Sequence, residues 1–189
     1  MEQYREDDAE LSATPERRER LVIGSVVIPA DESQPVREHE LPVSGLQERQ
    51  ALVGGNLEGI SLIDPAARML VNEDGKYLGL PVNRRATLLA WMHNRRMRYG
   101  DVLVGDVVLL GYPGEDGVDT PVPDALTERL FTANRFRVET QLHDSDDWYV
   151  SRQRFGDWVD AYDHALRMGH EQSAMIADVR VFPEVDDEA

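Results

Sequence analysis

The stretch Arg20-Leu-Val-Ile-Gly-Ser-Val-Val-Ile-Pro-Ala-Asp31 decides the fold. Its β-branched run stops at Pro29, which has a fixed φ and no N–H for a sheet ladder, so it reads as a buried strand ending in a turn. Asp31 to Pro35 is turn chemistry, and Val36 to Leu41 alternates as a returning edge strand. Downstream, Ser44 is placed to cap a helix whose Glu48 sits near the position that completes a capping box, with Leu46, Leu52 and Val53 facing inward and Gly54-Gly55 ending it. Leu57 to Leu62 and Arg68 to Val71 read as strands around Asp64-Pro65. Asn72-Glu-Asp-Gly75 is a tight turn ahead of a further strand, Tyr77 to Leu80, which makes a meander.

Arg85 to Met97 has the composition of a helix, with Leu88, Leu89, Met92 and Met97 on one face and arginines gathered toward its two ends. Asp101 to Gly111 breaks at Gly105-Asp106 and closes on a buried strand, Val107 to Leu110. Residues 112–123 are dense in Gly and Pro and read as a loop between two lobes. Beyond it, Asp124 caps a helix through Phe131, and Arg135 to Leu142 with Trp148 to Arg152 form a hairpin. Phe155, Trp158, Val159, Tyr162, Ala165 and Leu166 recur at helical spacing up to Gly169, a left-handed cap. Ala174 to Phe182 is the closing strand.

The expected fold class is α+β. A mixed, mainly antiparallel sheet with two helices occupies residues 20–118, and a smaller β-β-α-β lobe occupies 124–183. Residues 1–19 hold seven acids, three arginines and only Leu11 among aliphatics larger than alanine, too little to offset their ordering entropy, so a flexible acidic tail is expected there. Residues 184–189 form a second acidic tail.

At 189 residues the chain can bury one substantial core or two small ones. Its net charge is -16, and nineteen of its twenty cations are arginine, a skew that GC-rich codon usage or a salty cytoplasm produces as readily as function does. The absence of cysteine removes disulfides, thiolate catalysis and Cys-ligated metal. A polar opening and the lack of a long apolar run predict a cytoplasmic protein with no membrane association. A negative surface repels a phosphate backbone, so nucleic acid is not an expected partner except locally at Arg95, Arg96 and Arg98.

Residues 75–100 break this pattern, with six positive charges and no acid. Asn72, Glu73, Asn83, Arg84, Arg85 and Thr87 stand at strand-to-turn and loop-to-helix junctions and are the candidate ligand-binding residues. With Asn83 capping the next helix, that helix's free N–H groups and the forks of Arg84 and Arg85 would converge on a phosphate or carboxylate. The alternative is that Asn83 only caps and the arginines pair with nearby acids. Arg95, Arg96 and Arg98, with His93 and Trp91, make either a local nucleic-acid patch or an ordinary cationic helix end.

Gly54-Gly55 lacks the Lys-Ser/Thr of a phosphate loop, and no GxGxxG, HExxH or GxSxG is present. No catalytic residue, metal site or cofactor is expected. His143, Asp144, Asp146 and Asp147 lack the ordered pattern of a calcium loop and read as a solvated hairpin tip. Phe155, Trp158 and Tyr162 are a core stripe or a partner groove, and Asp157, Asp160 and Asp163 opposite them form a row that can imitate duplex phosphates.

The segments Val22 to Asp31, Pro35-Val-Arg, Leu46 to Glu58, Val71 to Thr87 and Val104-Gly-Asp-Val-Val, with LVGGNLE, NEDGK and LPVNRRAT in that order, resemble a family of unknown function, DUF3846, over about residues 21–115. That family occurs in actinobacteria and their bacteriophages and plasmids. The resemblance implies a phage or mobile-element accessory protein and carries no activity with it. The expectation is a noncatalytic protein acting by binding. One version is an acidic DNA mimic that occupies a host nuclease or other defence enzyme. Another is a small-ligand module, or an enzyme on a phosphorylated small molecule with Glu58 or Glu73 as acid/base, at the Asn83/Arg84/Arg85 junction. The expected partner is a host protein or a small anionic ligand.

Overall fold

In the computed structural model, residues 21–115 and 117–184 are described; the expected tail at 1–19, and all but Glu184 of the one at 184–189, lie outside them. The architecture is α+β. β1 (Val22–Ile28) pairs antiparallel with β2 (Arg37–Pro42) on one side and with β5 (Val107–Leu110) on the other. β5 also pairs with β4 (Ala66–Asn72), and β4 with β3 (Leu57–Ile63), giving the order β2-β1-β5-β4-β3.

Two-residue alternation gives this sheet two buried faces. Val26, Ile28, Met69 and Leu109 point one way, and Val27, Leu70, Val108 and Leu110 the other. The second face is covered by α1 (Leu46–Val53) through Val53 and the half-buried Leu52. The N-cap of α1 is Gly45 with no side-chain bond, so the capping box expected at Ser44 does not form, and Leu46 faces solvent. The Ser44 carbonyl is taken by the Leu46 N–H, which starts the helix one residue later.

The first face is covered by α2 (Arg84–His93), whose Leu88, Leu89 and Met92 are buried as expected. α2 is shorter than its sequence suggests. It ends at Asn94, and Arg95 to Gly100 run on in turns. The strand expected over Tyr77 to Leu80 is a chain of turns instead. There the Leu78, Gly79 and Leu80 N–H groups donate back to Asp74, Lys76 and Gly75, leaving no donors for a ladder, and Tyr77 is 93% exposed.

A four-residue α3 (Asp124–Thr127) runs into a π-helical turn, Glu128–Thr132, with Pro123 rather than Asp124 at the N-cap. The second sheet, ordered β7-β6-β8, comprises β6 (Phe136–Leu142), β7 (Trp148–Phe155) and β8 (Ile176–Pro183). It carries α4 (Trp158–Glu171), capped by the Asp157 carboxylate, which accepts from the Val159 and Asp160 N–H groups. α4 runs on past Gly169, so that glycine is no cap. It allows a close approach, since a Cβ there would sit 3.1 Å from Val179 Cγ1.

α2 packs against α4 between the two sheets. One buried cluster runs from Met69 through Leu89 and Tyr162 to Val181, so the two lobes read from the sequence share a core. The 111–123 loop between them is pinned by Asp119, whose carboxylate holds both Arg68 and, at 3.3 Å, Arg49. Its first residue is packed as tightly: a Cβ on Gly111 would lie 2.1 Å from Thr120 Oγ1 and 2.3 Å from the Pro121 carbonyl oxygen.

Candidate anion-binding groove

The six residues expected to gather a ligand are mostly committed to the fold. Asn83 is fully buried; its Oδ1 accepts from the Ala86 N–H, and its Nδ2 donates to the Ile28 and Gly105 carbonyls. Thr87 donates to the Asn83 carbonyl and accepts from the Leu103 N–H. Arg85 spends its fork on the carbonyls of Pro29, Asp31 and Gln34, tying the β1–β2 turn to α2. Arg84 pairs with Asp163 at 2.9 Å. Asn72 is buried against the end of α1, donating to the Gly54 carbonyl. Glu73 and Arg84 keep exposed side chains, Glu73 beside a cavity of about 390 Å³. Asn72, Asn83, Arg85 and Thr87 therefore act as an internal brace, and of the two arginines only Arg84 turns its guanidinium toward solvent.

The other three arginines of the 75–100 stretch behave differently. Because α2 stops at Asn94, Arg95, Arg96 and Arg98 leave the helix and surround a larger cavity, about 740 Å³, between the end of α2, the β3–β4 turn and β8. Tyr99 fixes their path. Its φ of 61° is in the left-handed region, rare for a bulky side chain, and its hydroxyl donates to the Leu166 carbonyl on α4. Arg98 reaches back to the Trp91 carbonyl and so caps α2 from outside it, while pairing with Asp178 at 2.7 Å. Arg95 shares Asp178 at 3.2 Å, and Arg96 has no carboxylate partner among the described residues.

Across the cavity, Arg180 lies 3.8 Å over the Trp148 ring and 5.0 Å from that of Phe182, and bonds to Glu139. Burial raises the pKa of Glu139, but bonds from Arg137 and Arg180 outweigh it and hold the carboxyl below the ordinary range.

Arg129, on the π-helical turn, completes the ring of cations. It is 8% exposed, yet no carboxylate pairs with it among the described residues. Only its Nη1 is bonded, to the Tyr162 hydroxyl at 3.0 Å and, at longer range, to His93 Nε2; its Nε is buried with no partner. The donors fix a proton order. The Asp64 carbonyl can only accept, so His93 Nδ1 carries the hydrogen and Nε2 accepts from the Tyr162 hydroxyl at 2.7 Å. Desolvation, reinforced by the Arg129 charge, lowers the His93 pKa to about 4, and burial raises that of Tyr162. Both are neutral at pH 7, and the guanidinium stands uncompensated.

One expectation follows for pH. An unfolded His93 takes up its proton near pH 6.5, while the folded one does so only near 4, so stability should fall as pH drops through that interval and level off below it. Imidazole NMR should show the His93 ring neutral down to about pH 4, and a titration near 6.5 would contradict the burial argument.

The sequence signature of the family described as a domain of unknown function, DUF3846, matches residues 25–135. The chain belongs to DUF3846. No curated protein and no solved structure matches it. The DUF3846 segment extends past the stretch carrying the sequence resemblance and takes in Arg129, so it supplies α2, the arginine turn and the buried guanidinium. The opposite wall, from Trp148 and β8, lies beyond that segment.

Arg129, Trp148, Asp178, Arg180 and Phe182 were not among the expected site residues. One signal was present: Leu126, Arg129 and Leu130 occupy one helical face, and a charge between two apolar residues there marks a buried ion. Elsewhere, Asp157 is spent as a cap and Asp163 on Arg84, which takes two acids from the row expected on α4. His143, Asp144, Asp146 and Asp147 sit at the β6–β7 tip, and no group of metal-ligating side chains forms among the described residues. No helix among them is long and apolar enough to cross a membrane.

Proposed function

We propose that this DUF3846 protein is a noncatalytic binding protein that takes an anionic group, phosphate or carboxylate, in the groove between its two sheets. The observation that carries the reading is Arg129, a buried guanidinium with no carboxylate partner among the described residues, lining a cavity large enough for a small ligand. Leaving a buried charge unpaired costs several kcal/mol, a cost a fold retains where an external anion supplies the partner. Arg96, with no carboxylate partner among the described residues, adds a second cation at the rim of the same cavity, and a guanidinium fork is suited to two oxygens at once.

The test is calorimetric titration with inorganic phosphate and pyrophosphate of the wild type and Arg129→Met. The variant should lose at least about tenfold in affinity, a change of about 1.4 kcal/mol. Its stability should be unchanged or raised by about 1–4 kcal/mol, because an apolar side chain of similar length replaces an uncompensated charge. Unchanged affinity, or a destabilised variant, would show that Arg129 serves the fold and not a ligand.

A further inference from the structure

The second sheet turns one face to the core, where Phe136, Val138, Val179 and Val181 are buried with α4, the helix that packs on it. Residues directly opposite on neighbouring strands share a face. The register therefore sets Arg137 and Glu139 of β6, Arg180 and Phe182 of β8, and Val150 and Arg154 of β7 together on the other side, with Trp148 opposite Gln141 in the same way. That side is turned to solvent: the Arg137 and Arg180 side chains are 36% and 41% exposed, and Val150 is 52% exposed. Three carboxylates border it, and each is held by two guanidiniums. Glu139 takes Arg137 and Arg180, Glu184 takes Arg135 and Arg154, and Asp178, at the groove, takes Arg95 and Arg98. Every cluster keeps one positive charge in excess, in a chain whose net charge is -16. Arg96 and Arg129 carry the row on into the groove, which Asp64 also lines. Asp144, Asp146 and Asp147 stand at the β6–β7 tip, so the cationic track runs from the groove across β8 and β6 toward Arg154 and away from that tip.

Planar groups alternate with these charges. Arg180 covers the half-buried Trp148 ring at 3.8 Å and lies 5.0 Å from the Phe182 ring, which Arg137 approaches at 5.3 Å. Aromatic rings and guanidinium planes are what unpaired bases stack on while their phosphates meet cations. Deepening the anion-binding reading, on which it rests, we infer that the groove's anion is a phosphate of a single-stranded nucleic acid, held at Arg129, with the adjoining bases laid across the outer face of the second sheet over Trp148, Arg180 and Phe182. A duplex hides its base faces, and an acidic peptide matches the charge but brings no planar groups for the rings, so neither uses both halves of this surface. The negative field of the remaining chain repels the strand elsewhere and confines it to this track.

The probe is a fluorescein-labelled oligothymidylate about twelve nucleotides long, followed by anisotropy. It should bind at least about tenfold tighter than a duplex of the same length, and lose about tenfold or more in affinity between about 50 and 200 mM salt. Trp148→Ala should weaken it at least about fivefold, and Arg129→Met about tenfold. Tyr77→Ala, which removes an aromatic ring 93% exposed outside this face, should leave it unchanged. Photocrosslinking of the wild type with 5-iododeoxyuridine in the strand tests the same surface without a variant that could misfold, and adducts are expected at Trp148 or Phe182. Adducts confined to other residues, equal affinity for the duplex, an affinity untouched by Arg129→Met, or displacement by poly-L-glutamate at equal charge concentration would overturn the inference. If inorganic phosphate binds through Arg129 and the oligonucleotide does not bind, this inference falls and the anion site stands. If neither binds, both fall.

Discussion

Asp119→Ala is expected to lower the free energy of unfolding by about 3–5 kcal/mol in chemical denaturation. The Asp119 side chain is 11% exposed and bonds two guanidiniums, Arg68 from β4 and Arg49 from α1. Arg49 is itself buried and has one other bond, from Nη2 to the Val43 carbonyl, so removing the carboxylate strands a charge where water reaches poorly. The same acid closes the 111–123 loop over the first sheet, so a fraying loop adds to the loss. Asp119→Asn keeps an acceptor without the charge and should fall between. The control is Asp101→Ala, which breaks a pair whose partners, Lys76 and Asp101, are both more than half exposed and should cost under about 1 kcal/mol. Similar effects for Asp119→Ala and Asp101→Ala would refute the buried-triad account.

Tyr162→Ala should cost about 3–5 kcal/mol from the lost ring alone. The ring is fully buried, edge-on to Trp158 at 5.5 Å and to His93 at 5.6 Å, where α2 and α4 meet, and its removal leaves a cavity that both sheets would have to collapse into. Tyr162→Phe isolates the hydroxyl. It keeps the packing but deprives Arg129 Nη1 of an acceptor and His93 Nε2 of its donor, at about 1–3 kcal/mol. Thermal unfolding of the two variants separates the contributions. A Phe variant as stable as wild type would mean the Arg129–Tyr162–His93 chain contributes nothing to the fold.

Much of the architecture was legible because it rests on short-range signals. The β-branched run at Val22–Ile28, the Asp64-Pro65 turn and the aromatic spacing from Trp158 to Leu166 each specify their element locally. The errors came where local patterns compete. Tyr77 to Leu80 has strand composition, but Gly75 and Gly79 let its donors close turns first, and the helix expected through Met97 stops at Asn94 although the arginines and Met97 beyond it keep helical composition.

The concentration of guanidiniums in 75–100 is real, yet the sequence offers no way to rank Arg85, which braces carbonyls across 54 residues or so of chain, against Arg96, which meets no acid among the described residues. Pairing in three dimensions decides which cation is spare. Trp148 and Arg180 reach the groove from distant parts of the chain, so no spacing along it could announce them, whereas Arg129 stands between Leu126 and Leu130 on one helical face.

The outer border of β7, where Tyr149 is 49% and Val150 52% exposed, also bears on how the protein behaves at high concentration. An exposed strand border is a template on which identical molecules can stack into fibres. A body with a charge of -16 makes every such encounter repulsive over the Debye length, about 8 Å at physiological salt. The excess of carboxylates thus acts as colloidal protection, keeping sister molecules apart.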